Sequence, residues 1–267
     1  MPRHGLGSTA TVGTTTTCSG LLTLSRRQKT QRRWSMTKPI IAWSHSRVNA
    51  YLTCPLKMFS EQIAKTHPAD FSGAAAQWGK EVHKALENRI KLGAELPSNM
   101  SQYEARVKTF EALAENLGYE MKAELALALD AKLKPCGWKD WNICWVRCAL
   151  DLLLISEKST DAVAVDWKTG KVKEDDRQLA LQAAIVFRHY PHIQRVTSMF
   201  CWLGHDGKMT KITFTRANEP RLWKQYLPVV RDLTDAVTFG KWPAKPSGLC
   251  REYCPVDTCK HNGGFRS

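Results

Sequence analysis

The sequence predicts an α/β domain in which helices are added to a sheet. Three observations lead there. Segments of helical period come first, segments of alternating period follow, and a further helix, more strands and a last helix complete the chain. Hydrophobic residues make up 43% and charged residues 24%, the balance of a chain that buries a core in water. With 267 residues there is material for a sizeable core, and the element order describes one domain rather than two.

Residues 44–63 carry a helical pattern, with Ser44 or Ser46 available as N-cap. A second helix covers 78–92, ended by Gly93, and a third covers 101–118. Over 124–130 polarity alternates, which puts Leu125, Leu127 and Leu129 on one face of a strand. Residues 145–155 and 162–168 are two further strands, and Thr169-Gly170 marks the turn that follows. A helix at 176–189 and a strand at 195–203 come next. His205-Asp206-Gly207-Lys208 makes a hairpin turn into a strand at 211–215. A final helix spans 221–238, and residues 248–264 form a tail rich in Cys and Gly.

Several classes are excluded. No apolar run is long enough to span a membrane. No fixed period supports a collagen, coiled-coil or repeat architecture. The stretch from Gly73 to Lys80 imitates a phosphate-binding loop, but five residues separate its glycines and Glu81 follows the lysine, so no ATPase motor is present.

The net charge is +14 and the pI about 9.5, which favours a polyanionic partner, nucleic acid first. Arg3, Arg26, Arg27, Lys29, Arg32 and Arg33 lie in an acid-free start, leaving +8 on residues 36–267. Residues 1–36 are rich in Thr, Ser, Gly and Arg and read as a disordered basic extension ahead of a domain at 37–267. The same composition suits an organelle transit peptide, or a stretch preceding a true start at Met36. The nine cysteines are unevenly placed and no secretory signal precedes them, so a reducing intracellular compartment and metal ligation are expected.

The most informative segment is Val163-Ala164-Val165-Asp166-Trp167-Lys168-Thr169-Gly170. Along a strand Asp166 and Lys168 share a face, and Val163, Val165 and Trp167 share the other, packed one. If the strands on either side of 156–161 pair as a hairpin, Asp151 approaches Asp166. Two carboxylates converging in a basic protein suit a hard divalent cation that polarises a phosphoryl oxygen. Lys168 would then orient water or offset charge developing on the phosphate.

On these residues the chain resembles the PD-(D/E)XK nuclease superfamily, and Asp166-Trp167-Lys168-Thr169-Gly170 resembles the D-Y-K-T-G signature of its RecB/AddB-like branch. Gly79-Lys80-Glu81-Val82-His83 is similar to that branch's G-x-x-x-H helix, and Glu124 stands where the branch has a glutamate on its first core strand. Gln178-Leu179-Ala180-Leu181-Gln182 is similar to its Q-x-x-x-Y helix, with Gln182 in place of Tyr. The resemblance covers roughly residues 44 to 262. It implies a restriction-endonuclease-like core, a mixed central sheet flanked by helices, with an N-terminal helical region and a Cys-rich C-terminal tail. It implies Mg²⁺ or Mn²⁺ held by His83, Asp151, Asp166 and the Trp167 backbone carbonyl, with Lys168 positioning water. Glu124 would be a further catalytic residue. Gln178 would contact Lys168 or substrate, and Gln182 substrate.

The activity so implied is a metal-dependent DNA nuclease, an exonuclease rather than an endonuclease, of recombination, repair or phage DNA metabolism. Its partners would be single-stranded DNA or DNA with free ends, and a helicase or recombination protein supplied in trans. Its place would be the cytoplasm of a bacterial or phage-infected cell. Two alternatives remain open on the sequence: a non-catalytic DNA-binding protein with a structural cysteine site, and an RNA-processing nuclease.

Cys54-Pro55 resembles the Cys-Pro element of the branch's iron–sulfur members, which implies a [4Fe–4S] cluster on Cys54, Cys250, Cys254 and Cys259. The Cys250–Cys254 spacing is wider than the commonest one. Zinc on the four cysteines, or on three of them and His261, uses the same atoms. Cys18, Cys136, Cys144, Cys148 and Cys201 read as tail or small buried residues. Most of the ten Trp are expected in the core rather than as stacking platforms.

Overall fold

The structure is a computed structural model that describes residues 41–69, 73–173 and 175–264. The expected disordered extension at 1–36 lies outside the described residues, as does Cys18.

Six strands form one mixed sheet in the order β2-β1-β3-β4-β5-β6. They are β1 (Glu120–Asp130), β2 (Pro135–Cys136), β3 (Cys144–Ile155), β4 (Asp161–Lys168), β5 (Arg195–Trp202) and β6 (Lys208–Thr215). All neighbours are antiparallel except β4 and β5, which run parallel. A parallel pair needs a crossover, and the helix at Asp176–His189 supplies it. The helices in chain order are α1 (His45–Thr53), α2 (Pro55–Met58), α3 (Ala74–Leu92), α4 (Glu104–Leu117), α5 (Asp176–His189), α6 (Glu219–Lys224) and α7 (Leu227–Phe239).

The alternation of β3 explains the two layers. Leu152 and Leu154 pack with Val82, Leu86, Val107 and Phe110 of α3 and α4. Leu153 and Ile155 point the other way and pack with Ala180, Ala184 and Phe187 of α5, and with the helices at the two chain ends. Val165 and Trp167 of β4 join the α3–α4 layer, where the Trp167 ring meets Phe110 edge-on at 5.4 Å. Both faces are therefore covered, and α5 is buried nearly all round, with Gln182 among its buried residues.

Some expected elements differ, each for a local reason. The helix expected over 44–63 breaks at Cys54, which is extended (φ −163°, ψ 112°). Pro55 disfavours helical backbone in the residue before it and starts α2, which continues into a π-helical turn at Phe59–Ile63. The last helix is split into α6 and α7, with Pro228 in the first turn of α7 and Tyr226 buried at the joint. The strand expected from 124 begins at Glu120.

Candidate active site

The site forms where α3, β1, β3, β4 and α5 meet. Gly79 lets α3 approach the end of β4 closely, since a Cβ there would stand 3.3 Å from Thr169 Oγ1. One turn further on, His83 reaches the strands. Its Nε2 lies 3.1 Å from the Trp167 carbonyl. A carbonyl only accepts, so Nε2 carries a hydrogen, and in the protonated ring Nδ1 carries the other; loss of that second proton would leave the Nδ1 lone pair facing the other side. There Nδ1 meets Asp151 Oδ1 at 3.3 Å and Glu124 Oε1 at 3.8 Å. Ligand atoms of His83, Glu124 and Asp151 lie within 4.8 Å of one another, the one such set among the described residues.

Two backbone features fix this convergence. The Trp167 N–H donates to Asp151 Oδ2 at 2.7 Å, which holds β3 to β4 and turns Oδ1 toward His83. Glu124, opposite Asp151 in the β1–β3 ladder, has φ +47° and drops out of the pairing on either side of it. A glutamate in left-handed backbone is strained by about 1–3 kcal/mol, and such strain collects where side chains must be aimed. Glu124→Gly should relieve that strain while losing the carboxylate. Its stability should stay within about 1 kcal/mol of wild type, since glycine's flexibility offsets the relief. Its Mn²⁺ affinity should fall at least about tenfold. Calorimetric melting and Mn²⁺ titration check both halves.

Asp166 belongs to a second group one step away. Its Oδ1 accepts from Gln178 Nε2 at 2.7 Å and Gln182 Nε2 at 3.0 Å, both from α5. Its Oδ2 is in contact with Lys168 Nζ at 2.5 Å yet carries no hydrogen bond of proper direction. Lys168 Nζ also donates to Gln178 Oε1 at 3.3 Å. Gln178 and Gln182 sit one turn apart on α5 and thus bracket the same oxygen.

The electrostatics agree with the geometry. Burial, then the charge of Asp151, pushes the Asp166 carboxyl up to about 6, against the pull of Lys168. Burial alone would lower His83, but hydrogen bonds to Asp151 and Glu124 prevail and push it up to about 10. Three carboxylates crowd one imidazole and one ammonium, surroundings suited to a positive guest. One imidazole nitrogen, carboxylate oxygens and the unbonded Asp166 Oδ2 are a donor set that suits Mg²⁺ or Mn²⁺.

Every residue expected in the site is brought here. His83, Glu124 and Asp151 converge directly, while Asp166 is turned to the glutamines and Lys168. The Trp167 carbonyl, expected as a metal ligand, holds the His83 N–H and so orients the ring. The sequence reading missed the rest of the cleft, about 880 Å³, into which Asp151, Asp166 and Lys168 face. Arg47 of α1, Trp138, Arg147 of β3, Lys171 and Lys173 line it. Lys171 and Lys173, next to Thr169-Gly170, were the signal available in the sequence. His45, also in this cleft, lies 2.8 Å from Tyr226 Oη and 3.3 Å from Asp175, which pins α1 to the start of α5.

Cys54, Cys250, Cys254 and Cys259 line one small cavity together with His261. All four are free thiols. Backbone N–H groups of Lys245 and Ser247 donate to the sulfurs of Cys54 and Cys250 at 3.4 and 3.2 Å.

Residues 42–259 match the family described as the PD-(D/E)XK nuclease superfamily. Among solved structures, the crystal structure of a candidate exonuclease from Eubacterium rectale is similar over 80% of this chain and 86% of its own, with 13% identity and a TM-score of 0.48. No curated protein matches the sequence.

Proposed function

The chain belongs to the PD-(D/E)XK nuclease superfamily, and from that premise we propose that it is a metal-dependent deoxyribonuclease that works from DNA ends. The observation that carries the proposal is the convergence of His83, Glu124 and Asp151, of which Asp151 shares a cleft lined by basic residues with the Asp166–Lys168 pair. His83, Glu124 and Asp151 would hold Mg²⁺ or Mn²⁺. The cation, when bound, supplies Lewis-acid polarisation of the phosphoryl group. The Trp167 carbonyl keeps His83 in the tautomer that presents Nδ1. Lys168 offsets negative charge developing on the phosphate and steers the attacking water. Gln178 bridges Lys168 and Asp166, which fixes the ammonium against its carboxylate. Gln182 holds the same carboxylate oxygen from the buried side. Work from ends, and on DNA, rests on the likeness of the motifs to the RecB/AddB-like branch.

The cysteine cavity carries a [4Fe–4S] cluster in this proposal. Tetrahedral zinc with bonds of about 2.3 Å draws its sulfurs to about 3.8 Å from one another. Among the described residues no three of these thiols lie within 4.8 Å of one another. A cubane cluster spaces its thiolates more widely, and N–H donors to sulfur are a usual feature around such clusters.

The test is cleavage of 5′- or 3′-labelled linear DNA, single- and double-stranded, beside a circular single strand. Mg²⁺ or Mn²⁺ should drive release of short products from a linear end, and EDTA should stop it. The circle should survive. Cleavage of the circle would overturn the exonuclease assignment, and inert DNA in every metal would overturn the nuclease. RNA cut in preference to DNA would reassign the substrate.

A further inference from the structure

Arg147 stands on β3, on the wall of the cleft that holds Asp151, Asp166 and Lys168. Its Nε donates to Cys144 Sγ at 3.3 Å, while its Nη2 is buried and has no hydrogen-bond partner. A buried guanidinium nitrogen with no hydrogen-bond partner is unfavourable to the fold. Arg47 lines the same cleft. The Trp43 strand segment, hydrogen-bonded to Trp145 and Arg147 of β3, brings α1 and Arg47 alongside. Burial, and then the nearby charge of Arg147, lowers the Arg47 guanidinium. Among the described residues, neither arginine has a carboxylate within ion-pair distance; Arg47 donates to the Gln62 side chain and the Ala42 carbonyl. Two guanidinium groups that repel each other, one with an unused buried donor, make a site for an anion that both can grip.

The second observation is aromatic. The Arg147 guanidinium lies 4.0 Å from the centroid of the Trp141 ring and 5.4 Å from that of Trp138. Trp141 is 70% exposed, so its face away from Arg147 is open to solvent. An exposed indole backed by a cation at the rim of a phosphate-gripping cleft offers a flat surface to a base. Away from a duplex end, only an unpaired base has a face free to use it.

We infer that Arg47 and Arg147 clamp a backbone phosphate of a single strand while a neighbouring base stacks on the open face of Trp141. This names the substrate class of the proposed nuclease as single-stranded DNA and rests on that reading in taking the cleft as the strand's path. Arg147 lies four residues from Asp151 on β3, about 13 Å at strand spacing, so the clamped phosphate is a few nucleotides from the one that is cut. Lys171 and Lys173 continue the basic wall past Lys168.

The experiment measures binding by anisotropy in EDTA, so that turnover does not intervene. Three labelled probes are used: a single strand, an abasic strand of equal length, and a duplex closed at both ends by abasic hairpin loops. Trp141→Ala, at an exposed position, should weaken the ordinary single strand about tenfold and leave the abasic strand and the duplex unchanged. Trp141→Phe should recover part of the loss. Arg147→Gln should weaken both single strands and lower the salt slope by about one. Equal losses on ordinary and abasic strands with Trp141→Ala, or no loss at all, would overturn the stacking site, whatever the arginine variant does. Wild-type cleavage of the same strands in Mg²⁺ judges the nuclease reading separately. A chain that cleaves but ignores Trp141→Ala keeps the nuclease and loses the clamp, and the reverse pattern keeps the clamp and loses the nuclease.

Discussion

Asp166→Asn is expected to lower cleavage about a thousandfold or more while leaving the fold and DNA binding in place. The asparagine keeps an oxygen that can accept from Gln178 and Gln182, so the contacts to α5 survive. What it removes is the charge at Oδ2, the atom set against Lys168 without a hydrogen bond. Lys168→Ala should have an effect of the same order from the other side of the pair, since the ammonium that faces the phosphate is gone. Arg47, Arg147, Lys171 and Lys173 of the cleft are untouched in both, so affinity for DNA should change little. Initial rates on end-labelled DNA in Mg²⁺, together with a melting curve for each variant, make the comparison. Undiminished cleavage by Asp166→Asn would remove this residue from the reaction.

Cys54→Ser is expected to destabilise the whole domain rather than act on the chemistry. Cys54 sits in the extended break between α1 and α2, and the other three cysteines of its cavity are all in the last described segment. A shared cluster therefore clamps the first helices to the tail across roughly 200 residues, where a cross-link restricts the unfolded chain most. By analogy with other cross-links this is worth on the order of 4 kcal/mol, or roughly 10 °C in Tm for a domain of this size. Protein purified without oxygen should be brown, with absorbance near about 400 nm, and the variant should lose colour and Tm together. A colourless wild-type preparation with stoichiometric zinc would replace the cluster but keep the clamp. A metal-free wild type that is stable and active would remove both.

Much of this was legible along the chain. The helix at Asp176–His189 and the strands through Leu152 and Val165 follow from period and turn residues, and their boundaries lie at or within a residue of those read from the sequence. The approach of Asp151 to the Asp166 segment followed from a single hairpin, and it is realised through the Trp167 N–H. Less legible was anything set by backbone geometry. Nothing in the residue pattern around Glu124 reveals φ +47°, because the left-handed turn is imposed by the ladder around it and no glycine marks it. The break at Cys54 could have been read from Pro55, but the helical period runs on past it. The cleft was hidden for another reason. Arg47 stands far before Trp138 and Arg147 in sequence, and the pairing of the Trp43 segment with β3 makes it their neighbour.

The proposed chemistry depends first on the cation site formed by His83, Glu124 and Asp151. Titration of wild type and Asp151→Asn with Mn²⁺, followed by electron paramagnetic resonance, addresses it directly. The cysteine cavity is common to both proteins, so the difference between them belongs to this site. Wild type should bind Mn²⁺ there, and Asp151→Asn should bind it at least about tenfold more weakly, with DNA cleavage falling in parallel. If Asp151→Asn binds Mn²⁺ and cleaves DNA as the wild type does, the site is not where the chemistry happens.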